Sequence, residues 1–144
     1  MSTIVVAFDH AGFIFRWPLV HFLENAWHSV LDVGPDKIYE DDDFPDYADL
    51  ACRKILNREA EKWILICGTG IGMSIAANRH TWIRAVLAYN PAIAKISRTH
   101  NDANVVCFGA RTMELATVLA SLEVFLSTDF IWGKYQRRNE KLDS

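Results

Sequence analysis

Cysteine pairs, long apolar runs, a strong excess of charge and metal-ligand spacing are all missing from these 144 residues. The net charge of −3 gives no global attraction for nucleic acid. The three cysteines, Cys52, Cys67 and Cys107, form no CxxC pair. So sparse and odd a set fits a reducing cytosol rather than a disulfide framework. Half of the residues are hydrophobic (51%), yet no segment is long or apolar enough to cross a membrane. The opening stretch MSTIVVAFDH has no basic stretch ahead of its apolar run and no evident cleavage site. A cytoplasmic protein without a targeting leader is therefore expected. No His, Cys or carboxylate pair has metal-site spacing, so no metal is expected. No repeat, low-complexity tract or linker divides the chain. We expect one domain over 1–144, ending in a basic tail at 133–144.

What is present is an alternation of β-rich and helical segments. Strands are expected at 3–8 (TIVVAF), 29–33 (SVLDV), 63–67 (WILIC), 83–89 (IRAVLAY) and 104–109 (NVVCFG). These runs are mostly continuously apolar, which calls for cover on both faces of the sheet. Helices are expected near 13–27, 46–60, 72–79, 91–100 and 112–127. The alternation predicts right-handed βαβ units and a three-layer α/β/α sandwich on a parallel, Rossmann-like sheet. Pro18 either kinks the first helix or marks a late start near Trp17. In YEDDDFPDYAD (39–49) Asp46 is a plausible N-cap, while Asp41 and Asp42 read as a solvated face.

The stretch WILICGTGIGMSIAANR (63–79) reads as buried strand, glycine-rich turn and helix, the pattern of a phosphate-binding loop. Three common versions fail on spacing. There is no GxxxxGK[ST]. Gly68, Gly70 and Gly72 give GxGxG rather than GxGxxG, and no carboxylate ends the next strand. A cysteine phosphatase would need arginine where Met73 stands. The physics of the turn survives: glycines admit a ligand close to the backbone, and a helix start presents free N–H groups. A thiol there, Cys67, is expected to be partly thiolate. A thiolate beside an anion hole suits either acyl transfer or proton abstraction next to a carbonyl. The bland alternative is a small buried hydrophobe, which is the reading for Cys52 and Cys107.

The first strand ends in AFDHAG, which puts Asp9 and His10 on the first βα turn. In doubly wound sheets ligands sit beyond the carboxyl ends of the strands, where strand order reverses. If the first and third strands are neighbours, Asp9–His10 and Cys67–Gly72 face one crevice. Asp9 could instead simply cap the following helix. His100 and Asn101 end the fourth helix, where a histidine also suits the helix dipole. His21, His28 and His80 read as structural or surface residues.

Taken together, DHAGF (9–13), DFPDYA (43–48), CGTGIGMSIAANR (67–79), IRAV (83–86), SRTHNDANVVCFGAR (97–111) and the basic tail resemble ribose-5-phosphate isomerase type B. The wider family includes galactose-6-phosphate and allose-6-phosphate isomerases. The resemblance runs in order over nearly the whole chain. It implies a five-stranded sheet in the order 2-1-3-5-4. It also implies an aldose–ketose isomerase working through a cis-enediolate, with no metal or other cofactor. Cys67 would move the proton between C1 and C2. Thr69 and the loop from Gly68 through Gly70, Ile71, Gly72 and Met73 to Ser74 would hold the enediolate oxygens. His100 would assist ring opening, with Asp9 nearby, and Asn101 would bind sugar oxygens. His10, Arg111, Lys134 and Arg138 would bind the phosphate. The implied assembly is a homodimer or homotetramer in which His100, Asn101 and the tail complete a partner's Cys67 pocket.

Several positions depart from the family pattern. Met73 lies near the place of a glutamate used by another branch. Lys134 stands for arginine and Tyr135 for histidine. Lysine keeps the charge but loses the bidentate fork. Phe44 replaces a tyrosine and lacks its hydroxyl. These changes bear on phosphate affinity and sugar choice rather than on reaction type. The leading expectation is interconversion of ribose 5-phosphate and ribulose 5-phosphate. A six-carbon sugar phosphate is the alternative within the class, and a non-catalytic sugar-phosphate-binding regulatory domain the alternative outside it.

Overall fold

The computed structural model describes residues 1–144. Five parallel strands lie in the order β2-β1-β3-β5-β4, as expected. They are β1 (Thr3–Phe8), β2 (Ser29–Asp32), β3 (Lys62–Cys67), β4 (Ala85–Leu87) and β5 (Val105–Gly109). The helices are α1 (Arg16–Asn25), α2 (Phe44–Leu56), α3 (Ile71–Ala77), α4 (Pro91–Asn101), α5 (Leu115–Ser127) and α6 (Lys134–Glu140).

Alternation along the central strands splits the core into two layers. Ile4, Val6, Phe8, Ile64, Ile66, Val106 and Phe108 pack with Leu19, Leu23, Ala94, Val118, Leu122 and Phe125 on the side of α1, α4 and α5. Val5, Ala7, Trp63, Leu65, Cys67, Val105 and Cys107 pack with Ala48, Ala51, Cys52, Met73 and Ala77 on the side of α2 and α3. Continuous apolar strands are thus covered on both faces. Each fully buried Leu, Ile or Phe contributes about 1.5–3 kcal/mol.

The late start expected for the first helix is borne out, and local expectations were corrected or extended in three other places. A 3-10 turn at Phe13–Phe15 precedes α1, so Pro18 sits in the first turn of a late-starting helix rather than at a kink. Helix α2 starts at Phe44 with Asp43 as N-cap residue, because Pro45 already favours the first turn; Asp46 lies inside that turn. Strand β4 is three residues long, since Ile83 turns back to the His80 carbonyl. Its outer border is closed by Asn78, just beyond α3. The Asn78 side chain accepts from the Ala85 N–H at 2.8 Å and donates to the Ala85 carbonyl at 3.0 Å. Finally, part of the tail is helical, forming α6.

Candidate active site

The carboxyl ends of β1, β3 and β5 lie side by side and release three loops that are tied together. Asp9 N–H donates to the Ile66 carbonyl, Ala110 N–H to Cys67 and Arg111 N–H to Gly68. Adjacency of β1 and β3 brings Asp9–His10 and the Cys67 loop to one edge, as the switch-point argument requires.

On the β1 loop, Asp9 is only 4% exposed. Its Oδ1 accepts from the N–H groups of Ala11 and Gly12, both at 3.0 Å. Asp9 therefore holds the shape of its own turn. His10 Nδ1 lies 2.6 Å from Asp42 Oδ1, and the His10 N–H donates to the same oxygen at 3.2 Å. That hydrogen bond, opposed by partial burial, raises the His10 pKa above its ordinary value. Asp42 is thus no solvated loop residue, as its sequence neighbours suggested; its side chain is 7% exposed. Burial first, then the neighbouring Asp42 carboxylate, pushes the Tyr47 hydroxyl up to about 12. Donor atoms of Asp9, His10 and Asp42 come within 4.8 Å of one another, although no spacing in the sequence marks them as a cluster. Asp42 Oδ1 is taken by His10, and Asp9 Oδ1 by the backbone.

On the β3 loop, Cys67 ends the strand and its Sγ accepts the Gly70 N–H at 3.2 Å. Gly70 adopts φ +78°, and a Cβ there would lie 2.5 Å from Leu87 Cδ1 and 2.9 Å from the Phe108 carbonyl carbon. The Thr69 hydroxyl accepts the Ile71 N–H at 3.2 Å, and the Ser74 hydroxyl donates to the Ile71 carbonyl at 2.8 Å. The Gly72 and Met73 N–H groups follow in the first turn of α3, where no intrahelical carbonyl lies one turn back. The Met73 side chain is fully buried between α2 and α3, so only its backbone can serve the loop. Phe44 leans over Gly72, where a Cβ would lie 2.6 Å from its ring. The Arg111 side chain packs beside Gly68, its Cδ 3.4 Å from a Cβ placed there.

A second group of expected site residues lies elsewhere. Helix α4 leaves the carboxyl end of β4, starting at Asn90, whose side chain accepts the Ile93 N–H at 2.9 Å. It runs back across the sheet and ends beside the starts of β4 and β5: Arg84 Nε donates to the Asn101 carbonyl at 2.8 Å. His100 and Asn101 are therefore at the amino edge of the sheet, while Cys67 is at the carboxyl edge. The five residues of β5 between these edges span about 16 Å. Helix α6 docks against the end of α4. Asn139, only 5% exposed, donates to the His100 carbonyl at 3.1 Å and meets the Asn101 amide at 3.4 Å. The rings of His100 and Tyr135 stack, and Lys134 and Arg138 lie over the Tyr135 ring at 5.3 and 5.7 Å from its centroid. A cavity of about 610 Å³, lined in part by Arg79, Trp82, Arg84, Asn101 and Asp143, opens beside this group.

One chain thus carries the expected site residues in two groups at opposite edges of the sheet. Asp9, His10, the Cys67–Ser74 loop and Arg111 form one; His100, Asn101, Lys134 and Arg138 form the other. Sequence reasoning missed Asp42, Tyr135 as a stacking partner, and Asn139. A buried polar residue bonded across to another helix, such as Asn139, leaves no periodic signal.

A family model described as Ribose/Galactose Isomerase matches residues 4–142. Ribose-5-phosphate isomerase B of Escherichia coli (strain K12) is 37% identical over 142 residues, covering 99% of this chain and 95% of that protein. Among solved structures, a ribose 5-phosphate isomerase from Thermotoga maritima superposes with a TM-score of 0.95 at 39% identity, covering 99% of this chain and 97% of that one. The type B ribose 5-phosphate isomerase of Trypanosoma brucei gives 0.94 at 37% identity, covering 98% and 96%.

Proposed function

The chain belongs to the ribose/galactose isomerase family, and from that footing we propose that it interconverts D-ribose 5-phosphate and D-ribulose 5-phosphate through a cis-enediolate, with Cys67 as the base. The observation that carries this reading is the Cys67 sulfur at the end of β3, where it accepts the Gly70 N–H at 3.2 Å just ahead of the first turn of α3.

In the aldose-to-ketose direction the Cys67 thiolate takes the C2 proton. The C–H electron pair becomes the C1=C2 double bond, and negative charge builds on O1. The N–H groups of Gly72 and Met73 in the first turn of α3, with the Thr69 hydroxyl, would hold that charge. The thiol then returns its proton to C1, while the O2 hydroxyl proton passes to O1. The thiolate is regenerated, and no cofactor is consumed. His10, Arg111, Lys134 and Arg138 supply positive charge for the phosphate. His100 assists opening of the furanose ring, and Asn101 binds sugar oxygens.

The two half-sites sit on opposite edges of one sheet, which supports a homodimeric arrangement in which each active site takes one half from each subunit. Asp9 would then meet His100 only across that interface. The whole chain, 1–144, acts as a single catalytic domain with its tail as a working part. No helix is long and apolar enough to cross a membrane, in keeping with a cytoplasmic enzyme of sugar phosphates.

A six-carbon substrate is the second reading, since the matching family description spans ribose and galactose isomerases. Comparison of kcat/KM for ketose formation from ribose 5-phosphate, allose 6-phosphate and galactose 6-phosphate separates the two. Turnover of none of them would overturn the enzyme reading in favour of a sugar-phosphate-binding domain.

A further inference from the structure

Asp42 is the middle of three consecutive aspartates, and only it is turned inward. Asp41 and Asp43 are exposed, whereas the Asp42 side chain is 7% exposed. Its Oδ1 receives both the ring Nδ1 and the backbone N–H of His10. Its Oδ2 is buried and makes no close hydrogen bond, with the Tyr47 hydroxyl the neutral polar group that faces the carboxylate. Its backbone N–H is held by the Tyr39 carbonyl at 3.1 Å. A carboxylate so far removed from water is strongly disfavoured unless a positive charge stands against it. The group in position to supply one is the His10 imidazole.

We propose that Asp42 is a positioning residue for His10, holding its ring as an imidazolium with Nε2–H free to bind the phosphate group of the substrate. This rests on the reading of His10 as a phosphate ligand. The groups facing His10 pull in both directions. Asp42 and Asp9 favour the charged ring; Arg111 and partial burial oppose it. The 2.6 Å bond to Asp42 outweighs the opposition, and the His10 pKa is raised. A phosphate dianion bound between His10 and Arg111 would convert their mutual repulsion into two attractions. The sign follows: a raised pKa keeps His10 charged at pH values where an ordinary histidine is neutral, and the benefit fades as pH rises through that raised value.

The alternative is that Asp42 merely pins the segment after β2 onto the β1 turn. A titration and a pH profile separate the two. In the full-length protein, NMR titration of the His10 ring protons should place its pKa above the ordinary histidine value of about 6.5. In Asp42→Asn, which keeps the shape but drops the charge, His10 should fall to that ordinary value or below. The KM for ribose 5-phosphate should rise by up to about tenfold at a pH between the ordinary histidine value of about 6.5 and the raised His10 value that the titration gives, as expected for weakening one charge-assisted contact, and much less at a pH well below about 6.5, with kcat close to wild type. Asp42→Glu should restore part of the His10 shift. Should Asp42→Asn not fold, the wild-type titration decides: His10 titrating no higher than about 6.5, the ordinary histidine value, overturns the proposal. So does an Asp42→Asn protein with an unmoved His10, or one whose loss is equal at both pH values. Absence of all sugar-phosphate turnover, with the His10 shift intact and inorganic phosphate still perturbing its resonance, would instead count against the isomerase reading alone.

Discussion

The imidazole of His100 and the phenol ring of Tyr135 lie face to face, with centroids 4.2 Å apart and planes 6° from parallel. The stack ties a residue at the end of α4 to one in the first turn of α6. Offset or stacked aromatic pairs contribute about 0.5–1.5 kcal/mol beyond their buried area. The Asn139 bond to the His100 carbonyl fixes the same junction from the backbone side. The orientation of His100 therefore depends on the tail.

Ring opening and proton transfer separate by substrate. Ribulose 5-phosphate has no furanose ring to open, so His100→Ala should lose more activity with ribose 5-phosphate than with ribulose 5-phosphate. Tyr135→Ala should show the same bias in weaker form, and Tyr135→Phe should be near wild type because the stack needs no hydroxyl. Single-turnover rates in each direction are the measurement; equal losses for His100→Ala would mean that the residue only finishes a helix.

Cys67→Ala should lower kcat by about 10²–10⁴, the usual worth of a general base. Cys52→Ala and Cys107→Ala should leave the chemistry near normal. Burial pushes the Cys52 thiol up to about 12 and the Cys107 thiol well above its ordinary value, so both stay protonated at workable pH. Alkylation followed by peptide mass spectrometry should find the inactivating adduct on Cys67, with substrate protecting. Near-normal turnover in Cys67→Ala would remove the thiol from the mechanism.

Arg138→Ala should weaken the phosphorylated substrate by about 1.5–3 kcal/mol, the worth of one charged hydrogen bond. The slow reaction of unphosphorylated ribose should barely change. Lys134→Arg should tighten phosphate binding, because a planar fork replaces a point charge. Equal loss on both sugars in Arg138→Ala would assign the tail to folding instead.

Separation of the half-sites makes a mixing experiment decisive. Inactive Cys67→Ala and phosphate-impaired Arg138→Ala subunits, allowed to exchange, should regain one site of wild-type affinity per mixed dimer, read as turnover at low ribose 5-phosphate. Verified exchange without recovery would mean that each chain completes its own site.

Gly70→Ala should distort the loop more than its size suggests. The position has φ +78°, and the new methyl would meet Leu87 and the Phe108 carbonyl carbon. A cost of about 1–3 kcal/mol in stability is expected from the backbone strain alone. Chemical denaturation together with Cys67 alkylation rate measures both effects; an unchanged midpoint and rate would show that the turn tolerates a side chain.

Much of the fold was legible because the strands are apolar on both faces. Val5, Val6, Ile64, Leu65, Val105 and Val106 all read as interior and are interior. The Cys67 loop was legible for a different reason, since glycine spacing and a strand-end thiol leave a local imprint. Helix α6 was not legible: it is polar throughout, and its one buried residue is Asn139. Asp42 was hidden more deeply. Nothing distinguishes it from Asp41 and Asp43 until the pairing of β1 with β2 brings the segment after β2 against the turn after β1. Long-range pairing, not composition, selects which aspartate is buried.

The Asn78 amide on Ala85 has a consequence for how copies of the chain can meet. An unpaired strand at a sheet border is a template onto which another chain's backbone can zip. Here the donor and acceptor of Ala85 are already taken by a side chain that imitates a passing strand. At that point of the border a passing backbone finds no free partner, and contact there falls to side chains, whose shape and charge discriminate among neighbours, whereas backbone zipping would accept almost any extended peptide.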